Sequence, residues 1–237
     1  MTDFGKYATH GAYHWNDIDK TSLKNLFSRS MPTLSRYDRL LRAIPHHATT
    51  IVDIGCGDGA LTYLLASKKI VREVIGCDLD KIGIDLAREK VRDLPFAEKT
   101  TFKNKSIGQC EIRPGSVDAI TMCEVIEHVG DVSELLEEIR RIGKPGGVLA
   151  ITTPKKKRDG SKWDQHHVLE YTEESLYELI SQYFPNTTVS VFMPTPVYHL
   201  HNKMKTLFNV SYTLGFNPLN LSLRKYDHVN LFSLSHF

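Results

Sequence analysis

The sequence predicts an α/β domain built on a parallel, doubly wound sheet, and three observations predict it. From residue 49 onward, short β-branched runs alternate with segments of helical period, the pattern of consecutive βαβ units. The first run ends in glycines at alternate positions, Gly55, Gly57 and Gly59. At 237 residues, 41% hydrophobic and 24% charged, the chain suits one large domain with a buried core and room for a cap.

The elements follow in order. Residues 1–48 read as an N-terminal helical extension. In it Leu34, Tyr37, Leu40, Leu41 and Ile44 recur at helical spacing and predict an amphipathic helix over 33–44. The main domain then runs over 49–237. Residues 49–54 form a strand, 60–67 a helix, 73–77 a strand and 82–94 a helix. Residues 101–104 and 119–123 are strands, and 132–142 is a helix with Leu135, Leu136 and Ile139 facing inward. Residues 146–152 form a strand, 172–181 a helix that starts at Thr172 beside Glu173 and Glu174, and 187–192 a strand. The final run, 228–235, alternates apolar residues like an edge strand. Residues 194–227 are too long for a plain connection and read as an insertion with a helix near 198–212.

Composition excludes several classes. The formal charge of +2, 30 basic against 28 acidic residues, carries no footprint of a dedicated nucleic-acid binder. No run approaches the roughly 20 apolar residues of a membrane span, so no membrane partner is expected. The cysteines Cys56, Cys77, Cys110 and Cys123 show neither CxxC spacing nor a disulfide framework. A reduced, cytoplasmic protein is the simplest expectation.

The most informative segment is Ile51-Val52-Asp53-Ile54-Gly55-Cys56-Gly57-Asp58-Gly59. It joins a buried strand to a helix. Glycine permits the positive φ of a tight turn and lets the backbone approach a ligand. The spacing is G-x-G-x-G rather than the dinucleotide G-x-G-x-x-G, and no P-loop lysine follows. A nucleoside without phosphates fits such a turn better than a phosphate does. A glycine-rich hairpin with no ligand is the competing reading, and the βαβ context argues against it. Asp78 lies nineteen residues beyond Gly59, at the tip of the second strand, where an acidic group accepts ribose hydroxyls. The strand over 119–123 ends at Cys123 and Glu124, at the switch point where ligands lie in open sheets. Ser106 is expected at the end of the third strand, near an adenine.

These segments, with Gly-Ser-Val-Asp-Ala-Ile, Glu-Val-Ile-Glu-His-Val and Lys-Pro-Gly-Gly-Val-Leu-Ala-Ile-Thr-Thr-Pro, resemble the class I S-adenosylmethionine-dependent methyltransferases over about residues 49–184. The resemblance implies a Rossmann-like, seven-stranded sheet with an antiparallel last strand, and S-adenosylmethionine as cofactor. It implies that Asp53, Gly55, Cys56, Gly57 and Gly59 shape the methionine end. Asp78 and Leu79 would meet the ribose, Ser106 and Ile107 the adenine, with Cys123 and Glu124 alongside. Many relatives carry Asp at the position of Ser106.

The expected activity is methyl transfer to an oxygen or nitrogen of a small-molecule acceptor. Such an in-line displacement needs mainly a dry, oriented site, but a neutral hydroxyl benefits from a general base. His128, His167 and Glu127 are the candidate catalytic residues. Glu124, Glu127, His128 and the distant His166 and His167 suggest a second reading. If the chain turns helical after Glu124, positions 124 and 128 share a face, and carboxylates with imidazoles hold divalent ions. This set is similar to that of small-RNA 3′-terminal 2′-O-methyltransferases, which implies a metal held by Glu124, Glu127, His128 and His167. The chain departs from those enzymes after Thr-Pro, where it reads Lys155-Lys156-Lys157-Arg158. That run can meet phosphates, although such runs are more often solvated. Without a metal, the same residues resemble small-molecule methyltransferases, and no metal is the first expectation. A third reading is a non-catalytic cofactor-binding scaffold.

Tyr7, Tyr13, His14 and Trp15 place aromatics in a segment able to fold over the cofactor. Tyr198, His199, His201, Phe208, Tyr212 and Phe216 do the same in the insertion, and together they predict a lid over an apolar acceptor. Cys56, Cys77 and Cys123 fall at strand ends and read as small buried residues rather than nucleophiles.

Overall fold

A computed structural model of the chain describes residues 5–18, 29–221, 223 and 225–237. The remaining parts of the N-terminal extension, 1–4 and 19–28, and positions 222 and 224 of the insertion lie outside the described residues. Seven strands, β1 (Thr50–Ile54), β2 (Glu73–Cys77), β3 (Thr100–Lys103), β4 (Val117–Cys123), β5 (Gly143–Pro154), β6 (Asn186–Pro194) and β7 (His228–His236), form one sheet in the order β3-β2-β1-β4-β5-β7-β6. The first five run parallel, and β7 is antiparallel to both β5 and β6. The sheet is the seven-stranded, Rossmann-like arrangement with a reversed last strand that the motifs imply.

Nine helices surround it among the described residues: α1 (Lys6–His10), α2 (His14–Ile18), α3 (Met31–Ala43), α4 (Ala60–Ala66), α5 (Lys81–Val91), α6 (Ser133–Ile142), α7 (Glu173–Ser181), α8 (Thr195–Lys203) and α9 (Lys205–Thr213). Successive strand residues point to opposite faces, so both faces must be apolar when helices cover both. Val52, Ile120 and Leu149 pack with Leu136, Ile139 and Ile180 of α6 and α7. Ile51, Val74, Ala119 and Ala150 pack on the other face with Leu40 of α3 and Leu65 of α4.

Local chemistry starts the helices where the spacing predicts. The Thr172 hydroxyl accepts the Ser175 N–H at 3.1 Å to cap α7, and Asp80 accepts the Gly83 N–H at 3.0 Å to cap α5. Leu136 and Ile139 are buried, as expected, whereas Leu135 lines the cavity described below.

Three expectations need correction. The last strand is not at an edge. β7 lies between β5 and β6, with Asn230, Ser233 and Ser235 buried. Its polar alternate positions mimic a solvated face, but they sit inside the sheet, where Ser235 meets the Thr187 hydroxyl at 2.8 Å. The single helix near 198–212 is two helices, because the backbone breaks at Met204 (φ −129°, ψ 41°). The stretch after Glu124 is not a helix that carries 124 and 128 on one face. Glu124 is left-handed (φ 57°), and a short 3₁₀ turn over Ile126–His128 follows.

Candidate active site

The site lies where β1 and β4 are neighbours while the chain runs outward in opposite directions, the switch point of the sheet. The turn after β1 needs glycine at two positions for different neighbours. Gly55 has φ +69°, and a Cβ there would fall 2.3 Å from a Val125 methyl. Gly57 has φ +51°, and a Cβ there would fall 1.8 Å from the Tyr7 hydroxyl oxygen. The Gly55 N–H donates to the Cys77 carbonyl at 2.8 Å, which fastens the turn to the tip of β2.

Three aspartates hold this turn. Asp53 is buried and accepts hydrogen bonds from the Thr62 hydroxyl at 2.7 Å and the Thr121 hydroxyl at 2.8 Å. Burial outweighs those donors and pushes its carboxyl up to about 6. Asp78 accepts the Gly57 N–H at 2.8 Å through one oxygen and the Asp80 N–H at 2.8 Å through the other, and burial raises its carboxyl. Each carboxylate oxygen retains a second lone pair for another donor. Asp58 is buried and accepts the His14 N–H at 3.0 Å, with the His14 ring Nδ1 at 3.2 Å. The Trp15 indole N–H donates to the Asp58 carbonyl at 2.6 Å. The N-terminal segment is therefore tied to the glycine turn.

Beyond β4 the carboxylates separate. Glu124 accepts the Asn230 amide at 2.9 Å and pairs with the Arg36 guanidinium at 3.1 Å. Glu127 is wholly buried, and one oxygen accepts the Thr153 hydroxyl at 2.9 Å. The other, Oε1, has no partner among the described residues. Burial and the nearby Glu124 hold the Glu127 carboxyl well above the usual range. The rings of His128 and His167 meet edge to face with centroids 4.9 Å apart. His167 is buried, with Nδ1 2.6 Å from Glu170 Oε1. Burial lowers the His128 pKa, so its ring is neutral and has a lone pair. Ligand atoms of Glu127, His128 and His167 lie within 4.8 Å of one another.

All of this opens on one cavity of about 910 Å³, the size of a small-molecule site. Of the predicted residues, Asp53, Gly55, Cys56, Asp78, Leu79, Ser106, Ile107, Cys123, Glu124, Glu127, His128 and His167 line it. Two do not. Gly57 is covered by the Tyr7 ring, and Gly59 caps α4, where a Cβ would come 2.8 Å from Ala87. Ser106 lies beyond β3 and starts a 3₁₀ turn. Nine Asp and Glu residues line the cavity against four Lys and Arg, so its field favours a cationic ligand.

The remaining expectations divide. Tyr7, Tyr13 and His14 line the cavity, and Tyr198 does so from the insertion. Phe208 and His201 instead pack into the cap with ring centroids 5.4 Å apart, Tyr212 meets Asp38 at 3.3 Å, and Phe216 is exposed. His166 is exposed; its carbonyl lies 3.2 Å from His128 Nδ1. Lys155 and Arg158 pair with Asp227 at 2.8 and 3.4 Å. Burial drives the Cys56 thiol well up, and Cys123 is raised likewise, as inert residues should be. Sequence reasoning missed Arg36, Asp58, Glu170 and Asn230. Glu170 left a signal, three residues after His167, and Asp58 lies within the glycine turn itself; Arg36 and Asn230 come from segments that meet the site only in the fold.

Residues 52–151 match the family model described as a methyltransferase domain. The chain is 31% identical over 119 residues to the ubiquinone biosynthesis O-methyltransferase of Dechloromonas aromatica, covering 50% of each chain. It is 35% identical over 106 residues to the mitochondrial ubiquinone biosynthesis O-methyltransferase of Saccharomyces cerevisiae, covering 44% of this chain and 33% of that one. The chain thus spans about half or less of these curated relatives. Among solved structures it resembles geranyl diphosphate C-methyltransferase from Streptomyces coelicolor A3(2), with TM-score 0.67, 16% identity, and 94% and 87% of the two chains covered. It also resembles phosphoethanolamine N-methyltransferase 2 of Haemonchus contortus, with TM-score 0.64, 20% identity, and 100% and 60% covered.

Proposed function

Because the chain belongs to the class I S-adenosylmethionine-dependent methyltransferase superfamily, we propose that it transfers the methyl group of S-adenosylmethionine to an oxygen or nitrogen of a small-molecule acceptor. One observation carries the reading: a single cavity joins the glycine turn to the His128–His167 pair. Asp53, Gly55 and Cys56 border the methionine end of the cofactor, with Gly57 and Gly59 shaping the backbone around them. Asp78 and Leu79 take the ribose, Ser106 and Ile107 the adenine edge, and Cys123 and Glu124 the floor between. The excess of carboxylates suits a sulfonium. In the cytoplasm its four unpaired cysteines would stay reduced.

The cofactor supplies a methyl group already activated for displacement. The chain supplies orientation and a proton acceptor. Neutral His128 holds a lone pair at physiological pH, and Glu170 on Nδ1 of His167 leaves Nε2 of that ring for the cavity. Either imidazole takes the proton of a hydroxyl as its oxygen attacks. Glu127 orients the acceptor by hydrogen bonding through its buried, unpartnered Oε1. Two curated relatives are named for O-methylation, and a base beside the site is what a hydroxyl needs, so oxygen is the favoured acceptor atom.

The test is transfer of labelled methyl from S-adenosylmethionine to a panel of small phenols, alcohols and amines. Turnover that disappears in His128→Ala/His167→Ala supports the reading. Cofactor binding without transfer to any acceptor would favour a scaffold instead.

One observation favours a second reading, in which the transfer is metal-dependent, as for an RNA 3′-terminal 2′-hydroxyl. The unpartnered, buried Oε1 of Glu127 and the Glu170-oriented His167 fit an ion held by Glu127, His128 and His167. Glu124, committed to Arg36 and Asn230, falls outside that set. An ion there would lower the pKa of an acceptor hydroxyl. Activity abolished by a chelator and restored by Mg²⁺ or Mn²⁺ would establish this version.

A further inference from the structure

The cap carries a feature that methyl transfer does not use. Leu200 on α8, Met204 at the break between the helices, and Leu207, Val210 and Leu214 at spacings of three and four along α9 are all exposed, Leu207 by 56% and Leu214 by 80%. The opposite face is apolar too: Phe208 is buried with Phe192, Met193 and Leu219. Helices apolar on both faces have a second surface to cover. Phe216, Leu221, Leu223 and Tyr226 extend the exposed surface beyond α9.

The charge around this stripe has one sign. From residue 195 to 226 there is no Asp or Glu, while Lys203, Lys205, Arg224 and Lys225 supply four positive charges. The segment is +4 in a chain of net +2, which leaves the rest at −2 (2 − 4). Where the insertion rejoins the sheet stand the exposed Lys156 and Arg158, the latter paired with Asp227, and the half-buried Lys157, whose ammonium lies 4.3 Å from the centroid of the Trp163 ring.

We propose that the exposed face of α8 and α9 docks on the surface of an anionic phospholipid bilayer, with Leu200, Leu207 and Leu214 in the acyl boundary and Lys203, Lys205 and Lys225 among the headgroups. An apolar helical stripe flanked by lysines is the pattern of interfacial binding. A second copy of the chain fits poorly, because a two-fold contact sets the same patch against itself and this patch has no carboxylate to meet its own lysines. No helix of the described residues is long and apolar enough to cross a membrane; the bilayer contact is peripheral. It departs from the expectation of no membrane partner, which rested only on the lack of a span. Tyr198 of α8 lines the cavity, so the bilayer-facing cap also walls the site.

The test is flotation of the full chain with vesicles of phosphatidylcholine alone and of equimolar phosphatidylcholine and phosphatidylglycerol, read without cofactor or turnover. The chain should float with the anionic vesicles, and less so as salt is raised. Leu207→Ser/Leu214→Ser should lower partitioning by about tenfold or more, and Lys203→Gln/Lys205→Gln by about fivefold per lysine. Circular dichroism should not change, since all four side chains are exposed. Failure to float with either vesicle overturns the proposal. So does flotation insensitive to both variants, or self-association in ultracentrifugation that Leu214→Ser abolishes. None of these readouts depends on methyl transfer.

Discussion

Nδ1 of His167 and Oε1 of Glu170 lie 2.6 Å apart in a buried pair, and the same carboxylate oxygen receives the Trp163 N–H at 2.6 Å. A carboxylate held this way fixes the tautomer and angle of the ring it meets. His167→Ala should lower kcat by about 10²–10⁴-fold, the range of a general base. Glu170→Gln should lower it by about tenfold, with an altered pH profile. Cofactor affinity should stay unchanged in both, which steady-state kinetics beside calorimetry will check.

The pH dependence follows from His128. Burial lowers its pKa, so the neutral, proton-accepting form persists below the ordinary value of about 6.5. The acidic limb of the kcat profile should lie below that value.

Asp118 offers a stability test away from the site. Burial pushes its carboxyl up, but the amides of Thr49 and Thr50, the Lys144 ammonium and the Thr49 hydroxyl outweigh burial and bring it down to about 2. A depressed carboxylate stabilises the fold above its unfolded value of about 4, and loses that contribution as pH falls through the folded value. Asp118→Asn should therefore be less stable than wild type by roughly 2 kcal/mol at neutral pH. The gap should close as pH falls from about 4 to about 2. Urea denaturation across that window measures it.

The glycine turn and the N-terminal segment are coupled at one contact. Gly57→Ala meets two penalties, about 1 kcal/mol or more for positive φ and the clash with the Tyr7 hydroxyl. Tyr7→Ala removes only the second. A double-mutant cycle should show coupling of about 1 kcal/mol or more in stability, and Gly57→Ala alone should weaken cofactor binding. Strict additivity would mean that Tyr7 does not pack on the turn.

Sheet and turn were legible because their signals are local. The β-branched run ending in Gly55, Gly57 and Gly59 marks β1 and its turn, and the capping residues Asp80 and Thr172 mark helix starts. Two misreadings share a cause. Ser233 and Ser235 alternate with Phe232 and Leu234 as in a solvated strand, yet β7 is inserted between β5 and β6, a long-range pairing that alternation does not encode. Glu124 lies in a helix-like string of residues, but its left-handed backbone turns it toward Arg36 and Asn230. Glu127, His128 and His167 were recognisable by residue type. Their meeting depends on the loop of residues 155–172 folding back, where the Val168 N–H reaches the Glu127 carbonyl at 2.8 Å.

The central claim is that the cavity beside the glycine turn holds an adenosyl sulfonium, with Asp78 at its sugar. Titration calorimetry of S-adenosylmethionine and its demethylated product against wild type and Asp78→Asn tests it most directly. Saturable heat in wild type, with affinity about tenfold or more weaker in Asp78→Asn through the lost charge-assisted hydrogen bonds, is the predicted result. No heat with either ligand, or equal affinity in the two proteins, would contradict it.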